Sequence, residues 1–149
     1  RGVQNYLGDS ARVLYAPGCD IYRDKTEACA AAHDRISEAV SAASAADAVI
    51  LCTGLDASLK GEEGDGYNSE NSGDKADLSL PEPQRELMRA LARFGKKVTL
   101  VNLSGSAVDL LFVKEHFGAV IQGWYPGQMG AGRLPGSYTA NTARPAACP

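Results

Sequence analysis

Apolar positions fall into four short runs separated by stretches of helical spacing. Arg12-Val13-Leu14-Tyr15-Ala16 reads as a strand stopped by Pro17-Gly18. The helical stretch after it ends near Ala46, with Ile36, Val40 and Ala43 spaced to share one face. Ala48-Val49-Ile50-Leu51-Cys52 is a continuous apolar run, and its lack of alternation predicts a strand covered on both faces, as in a parallel sheet. Pro81 and Pro83 suit the first turn of a helix whose buried face carries Leu87, Leu91 and Phe94 and whose end is marked by Gly95. Val98 to Leu103 is the next strand, Ser104-Gly105-Ser106 a turn, and Val108 to Val113 a short helix. Ala119-Val120-Ile121 is the last strand, running into Gly123-Trp124-Tyr125-Pro126-Gly127. No internal repeat is visible.

Alternating strands and helices predict an α/β fold, a mostly parallel sheet flanked by helices with right-handed crossovers. Ligands of such sheets bind beyond the carboxyl ends of the strands. Those ends carry Gly18-Cys19-Asp20, the segment 54–80, Ser104-Gly105-Ser106 and Trp124-Tyr125-Pro126. Residues 54–80 break the pattern with five glycines and many acids. Long loops inside a compact domain are usually functional or disordered. Over 54–75 the acids are Asp56, Glu62, Glu63, Asp65, Glu70 and Asp74, against Lys60 and Lys75. Crowded carboxylates raise one another's pKa, and a carboxyl that stays protonated can serve as a general acid. On composition alone a solvated acidic loop is the favoured reading. A calcium loop fits less well, because the aspartates lack the required spacing and closing glutamate.

Composition narrows the classes. The 149 residues suit one domain, with 44% hydrophobic and 22% charged residues, the usual globular mix. With 18 acids against 15 bases there is no cationic excess for nucleic acid. No apolar run approaches the ~20 residues of a membrane span. The four cysteines, Cys19, Cys29, Cys52 and Cys148, form no C-x-x-C pair, so a structural zinc site is not expected. Cys52 reads as a buried small hydrophobe, and Cys19 with Cys29 is a disulfide candidate that nothing demands. Ser104 lacks a G-x-S-x-G context and reads as a turn residue rather than a nucleophile. His33 and His116 have no partner spacing and read as surface histidines. Asp20 and Asp56 stand at strand ends where they can order loops, Asp56 the more so.

The order of short motifs resembles the C-terminal α/β-sandwich domain of glycoside hydrolase family 3, of β-glucosidase and β-xylosidase type. The pieces are Val13 to Asp20, Ala46 to Ile50, Gly54-Leu55-Asp56, Glu62-Glu63-Gly64, Gly73-Asp74-Lys75, Leu78-Ser79-Leu80-Pro81 with Gln84, Ser104-Gly105, and Trp124-Tyr125-Pro126-Gly127-Gln128. The resemblance implies a flavodoxin-like three-layer sandwich over 1–128, followed by an atypical tail at 129–149. Set against the family pattern, that tail skips a helix, so the expectation includes a sandwich incomplete at its C-terminal end.

The resemblance further implies retaining hydrolysis of β-glucosides or β-xylosides, whether oligosaccharides or aryl and alkyl glycosides. An upstream barrel domain, in cis or in trans, supplies an aspartate nucleophile, and the sandwich supplies the acid/base. Glu63 is the implied acid/base, with Glu62 and then Glu70 as alternatives. Glu62, Asp65, Glu70 and Trp124 are the implied substrate-binding residues. Trp124 and Tyr125 read equally as sugar-stacking aromatics or as caps on the sheet edge. No metal or organic cofactor is implied, and the compartment stays open between cytoplasm and export. A stand-alone flavodoxin-like binding module and an inactive remnant are the competing readings. A receiver domain is disfavoured because Asp20 lacks a second acid and no lysine follows Ile121.

Overall fold

The computed structural model describes residues 2–22, 33–61, 66, 69, 71–127, 130 and 136. By contact the chain divides into two units, Arg1–Leu14 with Tyr125–Pro149, and Tyr15–Trp124. In the first, helix α1 (Gly2–Leu7) leads into a single tight turn at Gly8–Ser10. The Gln4 side chain holds this turn and the residues after it, donating to the carbonyls of Gly8 (2.7 Å) and Ala11 (3.0 Å) and accepting from Val13 N–H (3.1 Å).

The second unit is the α/β body. It contains α2 (Asp34–Ser44), β1 (Ala48–Gly54), α3 (Glu82–Ala92), β2 (Lys97–Leu103), α4 (Leu111–His116) and β3 (Ala119–Gln122). The strands form a parallel sheet in the order β1-β2-β3, with Ala48 opposite Lys97 through Gly54 opposite Leu103, and Thr99 opposite Ala119 through Asn102 opposite Gln122. The expected α/β class with a parallel sheet and flanking helices is therefore what the chain adopts.

Side chains alternate across the sheet; the main cluster lies on one face, and Val101 of β2 is fully buried on the other. Leu51 of β1, and Val98 and Leu100 of β2, join Ile36 and Ala43 of α2, Leu87, Met88 and Leu91 of α3, and Val113 of α4 in a single buried cluster. The helices of this unit thus share one face of the sheet. Leu55, Leu59 and Leu80, from the ends of the long loop, are buried in the same cluster.

Four sequence expectations are corrected. Residues 12–16 join no strand ladder among the described residues, and Val13, Leu14 and Tyr15 are exposed, so the first predicted strand is absent. Its apolar run finds no sheet partner there. The β1 run is covered on one face only: Leu51 and Thr53 are buried, whereas Ile50 and Cys52 on the opposite face are exposed. Cys52 is accordingly not a core residue. Continuous apolarity does not by itself distinguish an edge strand from a central one, and among the described residues β1 is an edge. Phe94 is exposed because α3 stops at Ala92, so the residue falls past the helical face it was assigned to; Gln84 and Met88 occupy that face instead. The short helix after β2 begins at Leu111, where the Asp109 carboxylate accepts from Leu111 N–H at 2.9 Å, rather than at Val108.

Candidate functional site

Parallel register places the carboxyl ends of the strands, Gly54, Leu103 and Gln122, along one edge. At Gly54 the chain leaves β1 very close to β2. Leu55 N–H donates to the Leu103 carbonyl at 3.1 Å, and a Cβ on Gly54 would stand 2.0 Å from that same oxygen. With φ at +157°, this handover requires glycine.

Gln84 fixes the handover from the helix side. It is buried (3% exposed) on α3. Its Oε1 accepts from Gly54 N–H at 2.9 Å, and its Nε2 donates to the carbonyls of Gly54 (2.8 Å) and Ile21 (2.7 Å). A primary amide carries donors and an acceptor on one plane. Toward Gly54 it therefore does what the peptide group of a neighbouring strand would do. The bond to Ile21 brings the Cys19-Asp20-Ile21 segment to the same edge, where Arg35 pairs with Asp20.

The loop is built in stages. Asp56 accepts from Ser58 N–H (3.0 Å) and Ser58 Oγ (2.7 Å), and its carbonyl accepts from the N–H groups of Leu59 and Lys60. Asp56 is thus the loop-ordering residue its position suggested. Leu59 then buries itself in the core. Next comes a neck: Gly61 N–H donates to the Gly73 carbonyl at 3.3 Å, and Lys60 Nζ pairs with Asp74 at 2.6 Å. Gly66 also meets Gly73, so closely that a Cβ on Gly66 would stand 2.6 Å from the Gly73 Cα. Both flanks of residues 62–65 are therefore held against one residue. Ser69 N–H donates to Gly66 O (2.8 Å), and Ser69 Oγ donates to Asp74 O (2.6 Å) and accepts from Asn71 N–H (3.3 Å). Beyond the neck, Lys75 Nζ donates to Ala107 O and Asp109 N–H to Leu78 O (2.7 Å), strapping the exit to the segment after β2.

Electrostatics follow this architecture. Lys60 holds the Asp74 carboxyl below the usual carboxylate range by hydrogen bonding and by charge. Asp77 is lowered chiefly by the backbone and hydroxyl of Ser79. Partial burial pulls the Lys75 ammonium down, opposed by Asp77 and reinforced by Lys60.

The ends of β2 and β3 are tied by side-chain amides. Fully buried Asn102 donates through Nδ2 to Gln122 Oε1 (2.7 Å), and Gln122 Nε2 donates to Ser104 O (2.9 Å). Ser104 Oγ donates to Ser106 O (2.8 Å) and accepts from Ser106 N–H (3.2 Å), a turn role for a fully buried hydroxyl. Just beyond, Trp124 has a left-handed backbone (φ +52°) and a 60% exposed side chain.

Of the residues singled out from sequence, Glu62, Glu63, Asp65 and Glu70 lie outside the described residues, as does Cys29 of the candidate disulfide. Their described neighbours Gly61, Gly66, Ser69 and Asn71 form the neck and its immediate folds. Trp124 stands at the carboxyl edge. His33 is exposed, 3.4 Å from Glu86, and His116 stacks on Phe112. Among the described residues, no group of three or more His, Cys, Asp or Glu side chains is placed to hold a metal ion. Sequence reading missed the clamping roles of Gln84, Asn102 and Gln122. The available signal was polarity out of place: Asn102 inside an apolar strand, and Gln84 three residues before Leu87 on the apolar face of α3.

This architecture has relatives. A Xylan 1,4-beta-xylosidase from Xylanibacter ruminicola is 44% identical over 86 residues, 55% of this chain and 10% of the relative. A Beta-xylosidase from Formosa agariphila is 33% identical over 126 residues, 85% of this chain and 15% of the relative. The solved GH3 exo-beta-xylosidase (XlnD), in complex with a xylobiose aziridine activity based probe, superposes with a TM-score of 0.73 at 26% identity, covering 93% of this chain and 16% of that one. The GH3 beta-glucosidase of Bifidobacterium adolescentis gives a TM-score of 0.62 at 26% identity, over 91% of this chain and 17% of that one. The chain thus spans only a small part of the length of these relatives. The sequence model of the Glycosyl hydrolase family 3 C-terminal domain matches residues 2–135, and the chain belongs to that family.

Proposed function

We propose that this domain supplies the general acid/base of a retaining β-glycosidase, with Glu63 as the proton-transferring group and Glu62 and Glu70 as its nearest alternatives. In retaining hydrolysis one carboxylate attacks the anomeric carbon while the other protonates the departing oxygen and then deprotonates the attacking water. The two stand ~5–5.5 Å apart. The attacking aspartate belongs to a barrel domain of the same assembly. The acid/base must therefore be carried out from the sandwich and still be held in place.

The observation that carries this reading is the neck. Gly61 and Gly66, the described residues that bracket 62–65 in sequence, both close on Gly73. Bracketing residues held in this way limit the freedom of an acid/base carried between them. This reading assigns Asp65 and Glu70 to substrate hydroxyls as further carboxylates, and Trp124 offers an exposed indole face for a pyranose ring. The named relatives point to β-xylosides first and β-glucosides second.

The test replaces Glu62, Glu63 and Glu70 by Gln, singly, in the complete gene product. Each variant is assayed on β-xylosides and β-glucosides with poor (alkyl) and good (nitrophenyl) leaving groups. Glu63→Gln is expected to cut kcat/KM on the alkyl substrate by about 10²–10⁴-fold, with a far smaller loss on the nitrophenyl substrate, which needs little protonation. Wild-type rates on alkyl glycosides would transfer the assignment to whichever of Glu62 and Glu70 shows the selective loss.

A further inference from the structure

We propose that Gln84 is a positioning residue for the acid/base loop. This rests on the reading of 61–73 as the acid/base loop. Gln84 acts by setting the direction in which the chain leaves β1.

The loop has its root at Gly54, on the outer edge of the sheet, where among the described residues β1 has no strand on its far side. An edge residue ordinarily shows its N–H and C=O to water and is free to fray. Gly54 does not, because the Gln84 amide pairs with both groups at 2.9 and 2.8 Å. The same amide nitrogen also holds Ile21 O at 2.7 Å. One buried side chain therefore fixes the starting vector of the loop and couples it to the 18–21 segment at the same edge. Its own position is determined: Leu87, Met88 and Leu91 anchor α3 in the core, and Gln84 lies on that buried face.

The rest of the root adds leverage. Leu55 N–H is spent on Leu103 O, and Leu59 is buried, so a rotation at Gly54 cannot be absorbed before the neck at Gly61. A displacement at the root is passed on to the neck at Gly61, two positions before Glu63 in the sequence. Misplacement of a catalytic group by about 1 Å costs up to about 10²-fold. That loss falls on the step that needs the proton. A residue that only stabilises the fold lowers all substrates alike, through the fraction folded.

The experiment compares Gln84→Met, of similar volume without polar atoms, with Gln84→Glu, which keeps the acceptor for Gly54 N–H but sets oxygen against the Ile21 and Gly54 carbonyls. Both are made in the complete gene product, with thermal unfolding recorded and assays run well below its midpoint. Expected is a loss of about 10- to 100-fold in kcat/KM on the alkyl glycoside and less than about threefold on the nitrophenyl glycoside. Gln84→Glu shows the same selectivity, so the test stands even where Gln84→Met does not fold. Equal losses on both substrates, or none, overturn the positioning role. The Glu62, Glu63 and Glu70 variants separate the two claims. If one of them is selective and Gln84 variants are not, only the positioning role fails. If Gln84 variants are selective and no glutamate variant is, the acid lies elsewhere and both claims fall.

Discussion

Gly54 has Leu103 O so near that a methyl group in place of its hydrogen would stand 2.0 Å from that atom. The obstacle is backbone, which cannot rotate aside. Gly54→Ala is expected to lower stability by about 3 kcal/mol through strain and displaced strand ends, read as a shift in the urea unfolding midpoint. An unchanged midpoint would mean that β1 and β2 separate at no cost. Gln84 is a residue of the same kind, its effect concentrated in one contact. Sequence marks both unevenly. A glycine after an apolar run signals the end of a strand, and Gly54 ends β1. A glutamine on a helix face signals nothing until its neighbours are known, because the carbonyl it binds at Ile21 is 63 residues away.

At the scale of elements, the acidic loop is less a solvated excursion than its composition suggests. Its leucines at 55, 59 and 80 are core residues, and its neck is closed by backbone and by the Lys60–Asp74 pair. The Asp74 carboxyl is depressed in the folded state, so the pair contributes fully above the ordinary carboxylate range. Its contribution is lost as pH falls through the depressed native value. The stability difference between wild type and Asp74→Asn is therefore expected to hold steady at neutral pH and to close in strong acid. It should also shrink in high salt, because both groups meet solvent. Urea midpoints measured across pH check this; a difference that persists in strong acid contradicts it. The strands and helices of the body were legible because periodicity and punctuation agree over α2, α3, β2 and β3. The misreadings share one cause. Whether Val13–Tyr15 pairs, whether Ile50 and Cys52 are covered, and where α3 stops relative to Phe94 all depend on what lies opposite, which local pattern does not encode.

For the molecule as a whole, the tied features of the described body gather along one edge. The root at Gly54, the tied ends of β2 and β3, and the neck at Gly73 all stand where the strands finish. That arrangement fits the proposal that the domain completes an active site lying partly on another domain. The family was legible from the order of motifs, whereas the role proposed for Glu63 rests on how Gly61 and Gly66 close on Gly73. The most direct measurement is azide rescue of Glu63→Ala in the complete gene product, using a nitrophenyl β-xyloside. The leaving group departs without help, and the glycosyl ester on the nucleophile then waits for a base that is gone. Azide, needing no deprotonation, is expected to attack that ester, raise turnover severalfold and yield a β-xylosyl azide of retained configuration, freeing the carboxylate. Turnover indifferent to azide, with xylose as the sole sugar product, would contradict Glu63 as the acid/base.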